Sequence, residues 1–212
     1  MPLTNLCAEN IFAYDDKVRE VYSSVAGLDE AGRGPLAGPV VAAAVVLPRD
    51  IHIEGLIDSK KTTEKQRRRL FWEINRKALA IGVGIVGAEI IDRINILQAT
   101  KTAMSIAIGD LGVRLDILLI DAVKLTDIRI RQFSMFKGES VSASIAAASI
   151  IAKVVRDDIM CDCHARYPQY NFRSHKGYGT KDHMLRLSQY GPAPMHRKSF
   201  RPVSDYSIPE HS

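Results

Sequence analysis

The stretch Ile117-Leu118-Leu119-Ile120-Asp121 decides the fold class, because four apolar residues follow one another in it without alternation. A strand that is apolar on both faces lies in the middle of a sheet that helices cover on each side, as in α/β proteins. Asp121 follows directly, and the crevice beyond the carboxyl ends of parallel strands is the usual ligand site of such sheets. The stretch therefore predicts an α/β fold with a carboxylate at the ligand-binding edge.

The flanking sequence supplies the other elements of such a fold. Apolar runs that lead into Asp29 and resume at Val40, with glycines and prolines between them, predict a β-hairpin. Thr63 and Gln66 have capping-box spacing, so a helix is expected to begin there and to end before Gly82. The other predicted elements are a strand at 81–86, a helix capped by Asn95, an edge strand at 128–136, a long helix from Ser142 to about His164 and a short helix capped by Thr180.

The composition is that of one soluble globular domain. The 212 residues are 46% hydrophobic and 25% charged, and such a chain can bury one substantial core. Its 29 basic and 24 acidic residues give a net charge of +5, which favours a polyanionic partner. The longest apolar runs are too short to span a membrane, and the acidic N-terminus does not resemble a secretory signal. With only three cysteines, we expect a cytoplasmic protein.

Carboxylates on three separate elements are candidates for one site. Asp29 and Glu30 end the first strand, Asp121 ends the buried strand, and Asp157 or Asp158 follows the apolar part of the long helix. Taken singly, Asp29 and Glu30 are more typical of a solvated strand end, and Asp157 and Asp158 of the exposed face of a helix, whereas Asp121 is as typical of a loop or capping carboxylate as of a ligand. If they meet, divalent cations would neutralise them, and oxygen ligands suit Mg²⁺ or Mn²⁺. Two such ions about 3.5–4 Å apart support phosphodiester hydrolysis.

The pair Asp29-Glu30 poses a geometric problem for this hypothesis. Neighbouring residues on a regular strand point to opposite faces, so both side chains reach one site only if the chain twists there. Gly32 and Gly34 follow closely and make such a distortion plausible.

Six blocks of sequence carry a resemblance to a known family. They are Gly27-Leu-Asp-Glu-Ala-Gly-Arg-Gly-Pro-Leu-Ala-Gly-Pro39, Asp58-Ser-Lys-Lys61, Ile120-Asp121, Ala146-Ala-Ala-Ser-Ile-Ile-Ala-Lys-Val-Val-Arg-Asp157, His175-Lys-Gly-Tyr-Gly-Thr180 and His196-Arg-Lys-Ser-Phe200. In this order they closely resemble the type 2 ribonucleases H, in particular bacterial ribonuclease HII. The similarity runs from about residue 24 to residue 200.

The resemblance implies a fold and a division of the chain. The fold is a ribonuclease H-like mixed five-stranded sheet flanked by helices, with a small helical C-terminal extension. The expected parts are an N-terminal extension at 1–20, a catalytic core at 21–165, a substrate-binding lobe at 166–200 and a flexible tail at 201–212. The family often has glycine where Ala122 stands and aspartate where Glu139 stands, which puts only local geometry in question.

The resemblance also implies roles for single residues. A four-carboxylate catalytic and metal-binding centre falls on Asp29, Glu30, Asp121 and Asp157. The family's aspartate directly follows the arginine of its Lys-Val-x-Arg-Asp motif, which selects Asp157 over Asp158. The other matched positions are Gly32, Arg33 and Gly34 as readers of a ribose 2′-hydroxyl and Tyr178 against the junction sugar. Independently of the resemblance, the charge of Lys60 suits a phosphate contact.

The expected function is that of a metal-dependent endonuclease with Mg²⁺ or Mn²⁺. It would hydrolyse the RNA strand of RNA/DNA hybrids and cut 5′ of single ribonucleotides in duplex DNA, leaving 3′-hydroxyl and 5′-phosphate ends. We expect a monomer without an obligate protein partner or membrane contact. One alternative is a non-catalytic duplex-binding module, which needs no carboxylates. Another is a nucleotide-binding oxidoreductase, although the glycine spacing does not match the dinucleotide fingerprint.

Overall fold

The computed structural model describes residues 10–56 and 62–206. Its centre is one mixed sheet of five strands in the order β3-β2-β1-β4-β5. Antiparallel pairing joins β1 to β2 and β2 to β3, and parallel pairing joins β1 to β4 and β4 to β5. The strands are β1 (Val25–Ala31), β2 (Val40–Val46), β3 (Ala80–Val86), β4 (Ile117–Asp121) and β5 (Arg131–Met135). The predicted α/β fold with a mixed five-stranded sheet is confirmed.

Six α-helices surround this sheet in the described part of the chain. They are α1 (Ile11–Arg19), α2 (Glu64–Lys77), α3 (Ala88–Asp110), α4 (Ala143–Arg166), α5 (Phe172–His175) and α6 (Lys181–Tyr190). Their predicted caps are present: Thr63 and Gln66 form a capping box, and Ser142 and Thr180 accept backbone N–H groups at the starts of α4 and α6. In the described residues, no helix is long and apolar enough to cross a membrane.

The two faces of β4 pack against different helices. Leu118 and Ile120 belong to the core that α3 covers, whereas Ile117 and Leu119 pack with Ile145 of α4. All four strand residues are at most 1% exposed. Their unbroken apolar run therefore follows from burial on both sides, which leaves only Asp121 at the open edge of the sheet.

One expected helix start differs from the structure, whereas the expected end of α2 before Gly82 is confirmed. Gly82 lies inside β3, as expected, and an added Cβ there would stand 2.0 Å from the carbonyl oxygen of Ala107. Asn95 does cap a helix, accepting the N–H groups of Leu97 and Gln98, but helical turns already begin at Ala88. Asn95 interrupts them with a φ of +64°. The close approach of sheet and helix, rather than helix termination, explains the glycine at position 82.

The terminal segments pack on the core further than the sequence suggested. In α1, Asp15 is fully buried and accepts hydrogen bonds from both the N–H and the hydroxyl group of Ser144. At the other end, Val203 is fully buried with Leu36 and Leu187, although it falls in the segment expected to be a flexible tail. The packed structure therefore extends beyond residue 200, because the tail contains an apolar residue that closes the C-terminal lobe.

Candidate active site

Parallel pairing of β1 and β4 brings the first two predicted metal ligands to one edge of the sheet. Leu28 and Ile120 are register partners, so Asp29 and Asp121 follow at the same level. Asp29 is only 6% exposed, and its Oδ1 accepts the N–H of Glu30 at 2.7 Å. Burial, followed by the negative charges of Glu30 and Asp121, holds the pKa of Asp29 well above its usual value. The carboxylates are therefore close enough to repel one another.

Asp29 and Glu30 both line one cleft, although they are neighbours on a strand. β4 pairs with β1 only as far as Leu28, so no residue of β4 pairs with Glu30. Its Oε1 lies 3.3 Å from Nη1 of Arg33, and Gly32 between them has a φ of +98°. The strand thus ends just after the acidic pair, and the chain turns so that the next residues face the same cleft.

Asp121 is held by a turn that the sequence did not predict. Its Oδ1 accepts the N–H of Gly138 at 2.9 Å, and its carbonyl accepts the N–H of Val123 at 2.7 Å. Ala122, in the middle of this tight turn, has a φ of +52°. This is the left-handed region, which glycine adopts without a steric cost. The family's frequent glycine at this position therefore has a direct conformational reason.

The fourth predicted ligand, Asp157, lies on α4 one turn beyond the cleft. Ser149, Lys153 and Asp157 share one face of the helix by their spacing of four, and the first two line the cleft. Nζ of Lys153 donates to Oδ1 of Asp157 at 2.7 Å. Asp158 instead pairs with Arg68 on α2. Of the two candidate aspartates, only Asp157 is connected to a residue of the cleft.

The predicted ligands suit a divalent metal in chemistry, but their side chains are not at metal-binding spacing. All four are carboxylates, the donors that hard cations such as Mg²⁺ prefer. Among residues 10–56 and 62–206, however, no three His, Cys, Asp or Glu side chains stand close enough together to hold an ion. The ammonium group of Lys153 forms an ion pair with Oδ1 of Asp157. Asp157 would bind a metal either through its Oδ2 or after it is released from Lys153.

The wall of the cleft beside the acidic pair contains the residues predicted to bind substrate. Gly32, Arg33, Gly34 and Tyr178 line the same cleft as Asp29 and Glu30. Tyr178 is 44% exposed, and its ring centroid lies 5.8 Å both from Nζ of Lys153 and from the guanidinium carbon of Arg156. Lys60 lies outside the described residues. The glycine loop and the tyrosine are thus neighbours of the acidic pair.

Two buried arginines that the sequence analysis did not single out support this wall from behind. Arg156 and Arg197 are fully buried, and neither forms an ion pair with another described residue. Both donate to main-chain carbonyl groups instead: Arg156 to those of Ala37, Pro39 and Lys176, and Arg197 to those of Gly32, Arg33 and Gly38. Burial lowers the pKa of Arg197 to about 9 and also lowers that of Arg156. The loop at 32–39 is therefore fixed by two guanidinium groups.

A signal for one of these arginines was present in the sequence. Arg156 stands four residues after Ala152 and four before Met160, which are both fully buried on α4. A charged residue in an apolar stripe of helical period indicates a buried, hydrogen-bonded group. Arg197 lies in an irregular segment, where no period exists to mark it.

Comparison with known proteins identifies the family and agrees with the fold. The family model described as ribonuclease HII matches residues 26–203. Ribonuclease HII of Acetivibrio thermocellus is 59% identical over 179 residues, covering 84% of this chain and 70% of that protein. Ribonuclease HII of Bacillus thuringiensis strain Al Hakam is 53% identical over 193 residues, covering 91% and 75%.

A solved structure shows the same architecture. The crystal structure of ribonuclease H2 from Pyrococcus horikoshii OT3 superposes with a TM-score of 0.71 at 27% identity, covering 86% of this chain and 96% of that one. The ribonuclease H-like fold expected from the sequence is thereby confirmed. Together with the family match over most of the chain, these likenesses establish that the chain belongs to the ribonuclease HII family and is a ribonuclease H, an endonucleolytic hydrolase that degrades RNA/DNA hybrids.

Proposed function

We propose that this ribonuclease H is metal-dependent and cuts 5′ of single ribonucleotides in duplex DNA as well as within longer hybrids, leaving 3′-hydroxyl and 5′-phosphate ends. The observation that carries the proposal is the shared cleft. The cleft is lined by the carboxylates Asp29 and Glu30 together with Gly32, Gly34 and Tyr178, and burial and the negative charge of Glu30 raise the pKa of Asp29. This adjacency supports the proposal of a hydrolytic centre beside a sugar-reading surface.

The carboxylates Asp29, Glu30, Asp121 and Asp157 would hold Mg²⁺ or Mn²⁺. Bound ions of this kind supply an activated water and stabilise the leaving oxygen. The carboxylate of Asp29 is fixed in position, because Ser149 and the N–H of Glu30 form hydrogen bonds with it. Lys153 balances the charge of Asp157 until that side chain is recruited. The charge balance of the cleft supports a site that receives cations.

Selection of a ribonucleotide would rest on the segment from Gly32 to Gly34. The 2′-hydroxyl is the group that distinguishes RNA from DNA at a given position, and glycines allow the main chain to approach it closely. Tyr178 would pack its exposed ring against the neighbouring sugar. Because these contacts read sugar and backbone, we expect no preference for a base sequence.

Phosphate contacts would set affinity rather than selectivity. Lys60 is the proposed phosphate ligand, and the exposed basic residues at the start of α2 would add to the same field. The net charge of +5 agrees with a polyanionic substrate. We propose that the enzyme acts on such duplexes as a cytoplasmic monomer without an obligate protein partner.

The decisive experiment uses duplex DNA that contains one ribonucleotide, incubated with the protein and Mg²⁺ or Mn²⁺. We expect a single cut 5′ of the ribonucleotide. Asp121→Asn and Asp157→Asn should each reduce kcat/KM by at least about 100-fold, since each removes a group that stabilises the transition state. An intact strand with either metal would reject cutting at single ribonucleotides.

Asp158→Asn is the matched control for these variants. It changes the same residue type on the same helix, but Asp158 pairs with Arg68 outside the cleft. Its activity should stay within about twofold of the wild type, as for other surface substitutions. If Asp157→Asn retains activity while Asp158→Asn loses it, the ligand assignment on α4 is reversed.

A further inference from the structure

Three histidines form a buried cluster in the C-terminal lobe, away from the carboxylates. His175, His183 and His196, named here the histidine relay, are between 0% and 7% exposed. The rings of His175 and His183 stack with centroids 4.3 Å apart, and Nε2 of His183 lies 3.0 Å from Nε2 of His196. None of them lines the cleft. Buried polar rings of this kind are retained only when their nitrogens are hydrogen-bonded.

The hydrogen bonds of the relay determine which nitrogen of each ring carries the proton. The carbonyl oxygen of Tyr178 can only accept, so Nδ1 of His183, 2.9 Å away, carries a proton and donates to it. In a neutral ring Nε2 of His183 is then an acceptor, and it receives the proton on Nε2 of His196, 3.0 Å away. Nδ1 of His196 accepts the N–H of Ala193 at 2.9 Å, and its 3.3 Å contact with the carbonyl oxygen of Ala193 carries no proton in this tautomer. One directed chain of hydrogen bonds therefore runs from Ala193 to Tyr178.

His175 holds the other side of the same tyrosine. Its Nδ1 accepts the N–H of Gly177 at 3.2 Å, so its Nε2 donates to the carbonyl oxygen of Tyr170 at 2.7 Å. Its own carbonyl accepts the N–H of Tyr178 at 2.9 Å. Both main-chain polar groups of Tyr178 are thus bonded to members of the relay, although its ring projects into the cleft.

This arrangement requires neutral rings, and the surroundings keep them neutral. Burial, followed by proximity to the other histidines, lowers the pKa of His183 and of His196 to about 4. Burial also lowers the pKa of His175. Among the charged groups facing the relay, Asp182 raises the pKa of His175 and of His183, whereas Arg186 and Lys176 lower that of His175.

We propose that the histidine relay is the device that positions Tyr178, so that recognition of a ribonucleotide junction depends on the direction of its hydrogen bonds. The inference rests on the proposed contact of Tyr178 with the substrate. His183 is the critical member, because it joins the chain from Ala193 to the tyrosine carbonyl. None of the three histidines touches the substrate in this proposal, and their role is one of positioning.

The first test reads the tautomers directly and does not depend on activity. In the full-length protein labelled with ¹⁵N-histidine, long-range proton–nitrogen correlation spectra distinguish Nδ1–H from Nε2–H rings. The chain has six histidines, so single substitutions assign the signals. At pH 7 we expect a neutral Nδ1–H ring for His183 and neutral Nε2–H rings for His175 and His196. Any other tautomer or a protonated ring among the three would overturn the relay.

The second test separates positioning from stability by kinetics on the single-ribonucleotide duplex. His183→Asn keeps a donor near the Nδ1 position, whereas His183→Leu removes it. We expect His183→Leu to raise KM about five- to tenfold, the effect of one lost hydrogen bond, with a smaller change in kcat. His183→Asn should restore most of the KM. Leu185→Ala, an exposed change on the same helix, should stay within about twofold.

A double-mutant cycle assigns the effect to Tyr178. If the relay acts through this residue, His183→Leu has no further effect on KM when Tyr178→Ala is present. Additive effects in the folded variants would overturn the proposal. A Tyr178→Ala variant with unchanged kinetics would reject the proposed substrate contact itself, and the tautomer spectra would then still decide whether the relay exists. If His183→Leu does not fold, the comparison of His183→Asn with the wild type takes its place.

Discussion

Gly32 and Gly34 stand two residues apart in one loop, but the space around them differs. An added Cβ at Gly32 would lie 2.1 Å from Nε of Arg156, and φ there is +98°. At Gly34 no described atom lies within 4 Å of an added Cβ. The first glycine is required by the fold, whereas the second leaves room for a ligand to approach the main chain.

This difference predicts opposite outcomes for the two alanine variants. Gly32→Ala should lower the free energy of unfolding by about 2–4 kcal/mol, through positive φ and overpacking together. Gly34→Ala should change it by less than about 0.5 kcal/mol, yet reduce kcat/KM on the single-ribonucleotide duplex by about tenfold or more, as expected when a methyl group misplaces the substrate. Urea unfolding and initial rates measure the two effects. Full activity of Gly34→Ala would contradict a close contact at this residue.

Ala122 offers a stabilising substitution. Its φ of +52° costs an alanine about 1–2 kcal/mol, while glycine adds about 0.4–1 kcal/mol of unfolded-state entropy. Ala122→Gly should therefore raise the free energy of unfolding by roughly 0.5–1 kcal/mol. Ala165→Gly, at an exposed position in the last turn of α4, should instead lower it. Equal effects of the two substitutions would show that the turn is not strained.

Single residues also show where sequence reasoning succeeds and where it fails. Asp29 and Asp121 were predictable because each directly follows an apolar strand, and parallel strands end at one edge. The bond between Lys153 and Asp157 was also predictable, because residues four apart on a helix are neighbours. The carbonyl partners of Arg197 are about 160 residues away in sequence, and no local pattern encodes them.

At the scale of elements, local chemistry predicted helix starts better than helix continuity. Thr63, Ser142 and Thr180 cap the helices as expected, because a side-chain oxygen satisfies the N–H groups of the first turn wherever that helix packs. The turns from Ala88 to Asn95 were missed, since Gly87 before them supplies no capping side chain. That Asp29 and Glu30 line one cleft was not predictable from β1 alone, because the cleft lies where the pairing of β1 with β4 has ended at Leu28.

The C-terminal lobe should make stability depend on pH through its histidines. The pKa of His183 and His196 is about 4 in the folded protein, below the usual 6.5 that applies after unfolding. Their neutral form contributes fully to the free energy of unfolding above pH 6.5. This contribution is lost as pH falls toward 4, because the unfolded chain takes up the protons first, and the loss is at most about 1.4 kcal/mol per pH unit for each ring. Denaturant unfolding from pH 4.5 to 7.5 measures the slope. His183→Asn should make the slope shallower, and an unchanged slope would contradict the assignment.

For the whole molecule, the clustered carboxylates predict stabilisation by divalent metal. Binding to the folded state alone at ten times Kd adds about 1.4 kcal/mol, which corresponds to a Tm increase of about 3–6 °C for a chain of this size. Millimolar Mg²⁺ or Mn²⁺ should therefore raise Tm, and a sodium salt at equal ionic strength should not. Asp29→Asn should abolish the shift, whereas Asp158→Asn should keep it. An unchanged Tm in the wild type would argue against a clustered acidic site.

The outline of the whole architecture could be predicted from the sequence. The unbroken apolar run in β4 and the helical periods around it determine an α/β sheet covered on both faces. The extent of the packed chain was not accessible, because Val203 looks like a tail residue until Leu36 and Leu187 are seen beside it. Short irregular segments carry no period, so their burial depends on contacts that only the assembled molecule contains.

The two buried guanidinium groups behind the loop at 32–39 have a consequence for how the enzyme meets its substrate. Because Arg156 and Arg197 bond to five carbonyl groups of that loop, its conformational entropy is lost during folding and not during association. The loop is preorganised. Under the proposed function, discrimination between ribose and deoxyribose then follows from the fit of a rigid template, and the main-chain conformation of the loop should be the same in structures of the free and the substrate-bound enzyme.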